Sequence, residues 1–150
     1  MPIGELCNRE VVFTTRTNNV VEAAQLMRRY HVGDLVVADK IDGRLVPVGI
    51  ITDRDIVTEV VAKDCPAAGC PVDNIMRAPL VTVEESEGVI ATIRLMRVHC
   101  IRRVPVVNKL GELIGIVSVD DLLELLAEEL AELAKVAPRQ QLREVRNRIG

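Results

Sequence analysis

Aromatic side chains are nearly missing: the 150 residues include no Trp, one Tyr and one Phe. Proteins that bind single-stranded nucleic acid rely on rings that stack on bases, so this composition argues against that class. An excess of one charge is missing too. The chain has 19 Lys and Arg against 22 Asp and Glu, a formal net charge of −3, and both signs are interspersed, so no broad basic surface faces a polyanion. No nucleic-acid partner is expected. No apolar run approaches the ~20 residues of a membrane helix, and "MPIGELCNRE" lacks the basic start and apolar stretch of a signal peptide. No membrane partner is expected either, and the expected location is cytoplasmic. The four cysteines include no C-x2-C pair, and His31 and His99 stand alone. A structural zinc site needs four close ligands, so no metal site is expected and the thiols read as small hydrophobes. No nucleophile with a base beside it, no His/carboxylate cluster and no Gly-rich phosphate loop is found. The chain therefore reads as a non-enzyme with no catalytic residue and no obligatory cofactor.

What the chain does contain is aliphatic: apolar residues make up 49%. Its length suits one core, or two very small halves sharing one. The halves are copies. When Pro2 is laid over Pro71, Val12 meets Val81, Val20 meets Val89, and Leu26-Met27-Arg28 meets Leu95-Met96-Arg97. "DLVVAD" (34–39) then covers "RVPVVN" (103–108). After a short insertion in the first half, "GIITDRDI" (49–56) answers "GIVSVDDL" (115–122). This is a duplicated unit of about 60 residues.

Each unit reads as β-α-β-β-α. Val11–Thr14 and Leu80–Val83 are β-prone, and Asn18, Asn19 and Ser86 offer helix N-caps. Helical spacing predicts that the first helix buries Val20, Val21, Ala24, Met27 and Tyr30, and that its twin buries Val89, Ile90, Ile93 and Met96. Two strands follow in each half, turning at Gly43 and Gly111, and second helices begin at Asp53 and near Asp120. The expected fold class is α+β, with residues 1–64 as the first repeat, 65–71 as a Pro- and Gly-containing linker, 72–128 as the second repeat and 129–150 as a helical tail. Because so small a unit buries little alone, the free sheet faces are expected to pack on each other around an aliphatic core.

The repeated corners carry the chemistry. Thr52 and Ser118 end a strand just where a helix starts, so their hydroxyls and the free N–H groups of the first turn stabilise an anion. Asp55 and Asp121 lie one turn further on the same side, placed to accept two hydrogen bonds from a vicinal diol such as a ribose. Arg54 is suited to phosphate. The same spacing is also a capping-box-like helix start that needs no ligand, and both readings stay open at this point.

The β-α-β-β-α order, the "RRVPVV" segment and the twice-repeated ending "GIITDRD"/"GIVSVDD" together resemble the CBS-domain pair, or Bateman module, over residues 2–135. The resemblance implies two repeats stacked with pseudo-twofold symmetry around two clefts. One cleft would combine Ile50, Thr52, Arg54 and Asp55 with Met76, Val81, Ile101 and Arg102. The other would combine Ile116, Ser118, Asp120 and Asp121 with Cys7, Val12, Val32 and Gly33. Arg102 and Arg103 match places where family members reach ligand phosphates, whereas the first half has Gly33 and Asp34 there. Asp120 in place of Arg54 adds a repulsive carboxylate to the second cleft. The implied function is a stand-alone regulatory pair that binds an adenosine-containing nucleotide as a regulatory ligand and senses energy or redox state. AMP, ADP, ATP, NAD(H) and S-adenosylmethionine all qualify, and the mixed charges favour AMP or NAD(H). A homodimer and an unidentified protein effector are the other implied partners.

After Asp121 the tail runs "LLELLAEELAELAKVAPRQQLREVRNRIG", with Leu122, Leu126, Leu130 and Leu133 on one helical stripe. It reads either as a last helix laid over its own pair or as a dimer contact. An alternative to ligand binding follows from it: a structural or protein-interaction module that acts through dimerisation and this leucine-rich tail.

Overall fold

The computed structural model describes residues 1–149; Gly150, the end of the expected tail, lies outside them. The elements run α1 (Ile3–Leu6), β1 (Phe13–Thr14), α2 (Val20–Tyr30), β2 (Asp34–Ile41), β3 (Arg44–Thr52) and α3 (Asp53–Ile56). They continue with β4 (Val83–Glu84), α4 (Val89–His99), β5 (Arg103–Val107), β6 (Leu113–Ser118), α5 (Val119–Ala134) and α6 (Val136–Ile149). A π-helical turn, Val57–Val61, extends α3. Each repeat is thus β-α-β-β-α, as expected. The two three-stranded sheets have the orders β1-β2-β3 and β4-β5-β6, each with one parallel and one antiparallel pairing.

The pseudo-twofold is written in four isolated bridges. Pro2 pairs with Gly88 as Pro71 pairs with Asn19, and Asn8 pairs with Ile116 as Arg77 pairs with Ile50. Asn8 and Ile116 exchange both backbone bonds at 2.9 Å, and Arg77 and Ile50 do so at 2.8 and 3.3 Å. The stretch before each repeat's first strand therefore crosses onto the other repeat and pairs with the free edge of its last strand. These segments also complete the partner's core. Ile3 and Cys7 pack with Val83, Met96, Val104, Val106, Val117 and Leu122. Val72 packs with Ala23, Met27, Leu35, Val37 and Ile51.

The sheets meet as expected, and each also builds a core on its helix side. β3 meets β6 between the halves, and the two clustered cores each lie between a sheet and its own helices, closed by chain from the other half. The helix faces differ from the reading. In α2 the buried residues are Val20, Ala23 and Met27, while Val21, Ala24 and Tyr30 are exposed. In α4 they are Thr92 and Met96, with Val89 and Ile93 half-buried and Ile90 exposed. The sheet fully buries a narrow i, i+3, i+7 stripe, while Leu26 of α2 and Val89, Ile93 and Leu95 of α4 pack half-buried at its edges. Thr92 is tolerated there because its hydroxyl donates to the Gly88 carbonyl at 3.0 Å. Asn19 caps α2 with a full capping box, but α4 starts after Gly88, so Ser86 is not its cap. The first strands are shorter than expected and lie further along the chain.

Close approach of the crossing segments demands glycine on the strands. A Cβ at Gly49 would come within 2.7 Å of Met76 Sδ and 3.1 Å of the Arg77 carbonyl. At Gly115 it would meet Cys7 and, at 3.0 Å, the Asn8 carbonyl. Gly115→Ala is therefore expected to destabilise the fold by about 1–3 kcal/mol. In denaturant unfolding Gly69→Ala, whose Cβ meets nothing within 4 Å, should stay within about 0.5 kcal/mol of the parent. Equal stability of the two variants would show that the crossing segment yields.

Candidate functional site

Both corners fold as full capping boxes. Thr52 N–H donates to Asp55 Oδ2 at 2.9 Å and Asp55 N–H to Thr52 Oγ at 3.1 Å. Ser118 N–H and Oγ–H both donate to Asp121 Oδ2 at 2.7 Å, and Asp121 N–H returns a bond to Ser118 Oγ at 3.2 Å. Each box satisfies donors that a helix start leaves orphaned. The corners are held against the loops before β2 and β5 by Asp53 N–H to the Gly33 carbonyl and Val119 N–H to the Arg102 carbonyl, each at 2.9 Å.

Two clefts open beside these corners. The first, of about 470 Å³, is lined by Ile50, Thr52, Arg54, Val81, Ile101, Arg102 and Arg103 among the expected residues. Asp53, Arg77, Pro79, Leu80 and Cys100 also line it, as do Gly33 and Asp34, which were expected only in the other cleft. The second, of about 250 Å³, gathers Val12, Val32, Gly33, Asp34, Ile116, Ser118 and Asp121 as expected, and adds Asn8, Glu10, Val11, His31 and Arg103.

Four expected residues are not on these walls. Cys7 and Met76 point the other way, onto Gly115 and Gly49. Side chains alternate along extended backbone, so their neighbours Asn8 and Arg77 take the wall positions. Burial also pushes the Cys7 thiol pKa up, against the pull of Arg9. Asp55 is 6% exposed and committed on both oxygens: Oδ2 to the cap, and Oδ1 to Arg77 through Nε at 3.0 Å and Nη2 at 2.9 Å. Asp120 is exposed and pairs with Arg102 at 3.5 Å, at the rim of the first cleft rather than in the second.

The charges separate the clefts. Arg54, Arg77, Arg102 and Arg103 converge on the first, against Asp34 and Asp53. The second has Arg103 against Glu10, Asp34 and Asp121. Between them stands one ion pair, Arg103 Nε to Asp34 Oδ1 at 3.1 Å, made by two residues that are counterparts in the repeat. Burial pushes the Asp34 carboxyl up from its ordinary pKa and Asp53 adds to this, while Arg103 pulls it down. Arg77, the main cleft residue absent from the sequence reading, had a signal: it is the repeat counterpart of Asn8 in "CNRE" over "MRAP".

A family model of the CBS domain matches residues 3–62 and 72–128. An uncharacterized protein of Methanopyrus kandleri (strain AV19) is 37% identical over 123 residues, covering 82% of this chain but only 61% of that relative's length. An uncharacterized protein of Bacillus subtilis (strain 168) is 38% identical over 120 residues, covering 80% of this chain and 78% of its own. The solved structure of a CBS domain protein from Pyrobaculum aerophilum complexed with AMP superposes with a TM-score of 0.72 at 32% identity, covering 81% of this chain and 89% of that one.

Asp34 gives the site a pH signature. A carboxyl whose folded pKa is raised contributes stability that is fully present below the unfolded value, about 3.9, and is lost as pH rises through the folded value. At neutral pH the charged, buried form is the costly one. Asp34→Asn should therefore melt above the parent at pH 7 in calorimetry, and the gap should narrow as pH falls toward 4. A variant that melts lower at pH 7 would mean that the Arg103 pair outweighs burial.

Proposed function

The chain belongs to the CBS-domain family, and from that premise we propose that it is a non-enzymatic regulatory module that binds an adenosine-containing nucleotide, AMP or NAD(H), in its first cleft. The observation that carries the reading is the convergence of four guanidinium groups on a cleft whose other wall is aliphatic. Adenine fits between Ile50, Val81 and Ile101, and the phosphate end lies among the arginines, which bind it by charge-assisted bonds. The AMP complex of the Pyrobaculum relative supports the same ligand class. The second cleft, with three carboxylates to one arginine, repels phosphate, so one phosphate-bearing ligand per chain is expected.

The arginines differ in what their release costs. Arg102–Asp120 is an exposed pair, of a kind worth about 0–1 kcal/mol, so a phosphate can recruit Arg102 readily. Arg77, exposed on 65% of its side chain, can exchange Asp55 for phosphate, which frees Asp55 Oδ1 toward the ribose held at Thr52. Arg103 is shared. A phosphate drawing it from Asp34 leaves a buried carboxylate unpaired, so ligand binding in the first cleft changes the charge facing the second. That rearrangement, relayed through a homodimer, is the signal we assign to the module.

The chain has no tryptophan, so titration calorimetry is the direct test. AMP should bind at one per chain and raise the melting temperature by linkage. Arg102→Ala and Arg54→Ala should each weaken AMP about ten- to a hundredfold, the loss of one charge-assisted bond of roughly 1.5–3 kcal/mol, while adenosine changes little. Equal losses for AMP and adenosine would remove phosphate from the arginine end. No heat and no melting shift with AMP, NAD(H), ATP or S-adenosylmethionine would leave the interaction-module reading in its place.

A further inference from the structure

The last two helices have opposite charge and matching apolar stripes, yet neither stripe is covered. α5 carries Asp120, Asp121, Glu124, Glu128, Glu129 and Glu132 and no base. α6 carries Arg139, Arg143, Arg146 and Arg148 against Glu144 alone. On α5, Leu126, Leu130 and Leu133 are exposed by 43, 66 and 68%; on α6, Leu142 and Val145 by 66 and 55%. Helical spacing puts each set on one face. Glu129 borders the α5 stripe between Leu126 and Leu133, and Arg139 and Arg146 sit one turn from Leu142 on α6.

The chain cannot bring these faces together by itself. Lys135 alone separates Ala134 from Val136, and an antiparallel helix pair within one chain needs a connection of about 2–5 residues. We propose that α6 docks on the α5 stripe of a second copy, and that the exchange is reciprocal. The length suffices: 14 residues of α6 span about 21 Å, enough to cover the α5 stripe from Leu126 to Leu133, about 11 Å. Acidic helix then lies on basic helix at both contacts, related by the twofold of the pair. The inference rests on the homodimer named above and does not involve the nucleotide.

A charge swap tests it on the full chain. One variant carries Glu129→Arg, the other Arg139→Glu and Arg146→Glu; all three side chains are exposed, and circular dichroism checks that both variants fold. Each variant alone should dissociate at least tenfold more readily than the parent in sedimentation, with α6 amides exchanging at least tenfold faster. An equimolar mixture should recover the parent's association and protection, because each contact between unlike chains regains opposite charges. A parent that dimerises but whose swaps change neither association nor α6 exchange overturns the helix exchange and keeps the dimer. A mixture that fails to recover overturns it as well, and points to a different protein as the occupant. A parent that is monomeric at every concentration overturns the dimer and the exchange together.

Discussion

The structure depends on two short stretches of backbone that cross from one repeat to the other. Asn8 and Arg77 exchange hydrogen bonds with Ile116 and Ile50, each pairing one residue of the open edge of a three-stranded sheet. An exposed edge invites pairing with another chain, and here part of it is paired within the molecule. The same stretches carry Ile3 and Val72, both fully buried, into the partner's core. A repeat of this size buries too little to stand alone, so each core is finished by chain from outside its own repeat. Glycine at 49 and 115 is the local consequence, since the crossing chain leaves no room for a Cβ.

Duplication fixed the backbone and left the charges free to diverge. Asp34 and Arg103 occupy equivalent strand starts, opposite Thr52 and Ser118 in register. In a symmetric ancestor two like residues would meet there; here opposite charges meet at 3.1 Å. Arg77 against Asn8 and Arg54 against Asp120 tilt the balance the same way. One scaffold thus carries a cationic cleft and an anionic one, joined by a shared wall. Charge separates their chemistry, beside a difference in volume of about 470 against 250 Å³.

The fold was legible because the repeat was. Element order, both turns and both helix-starting corners follow from the internal match, and Thr52 and Ser118 stand on cleft walls. What was not legible depends on contacts distant in sequence. The hydrophobic pattern of α2 does not say that the sheet accepts Ala23 and rejects Val21 and Ala24. Nor does it say which residue of Cys7-Asn8 or Met76-Arg77 faces the cleft, since both sides of a crossing strand meet protein. Asp55 illustrates the same limit. Its spacing from Thr52 suits a diol and a cap alike, and only the arrival of Arg77 from the other repeat commits its second oxygen.

Helix α5 links the two kinds of surface the molecule presents. Its first turn carries the Ser118–Asp121 cap on the wall of the second cleft and Asp120 at the rim of the first. Its far end carries Leu130 and Leu133 into solvent. A carboxylate in the first turn is favoured by the helix dipole whether or not an arginine sits beside it. Release of Arg102 toward a ligand would therefore cost Asp120 little, and the helix start would survive the exchange. What would change is the field around that first turn, which the Val119 N–H bond to the Arg102 carbonyl ties to the loop before β5. A rod of 16 residues carries a small tilt at one end into a larger displacement at the other, about 24 Å away. The residues that would register a phosphate and those that would hold a neighbour thus lie on one rigid element, which supplies a physical route from cleft to assembly without any hinge in the core.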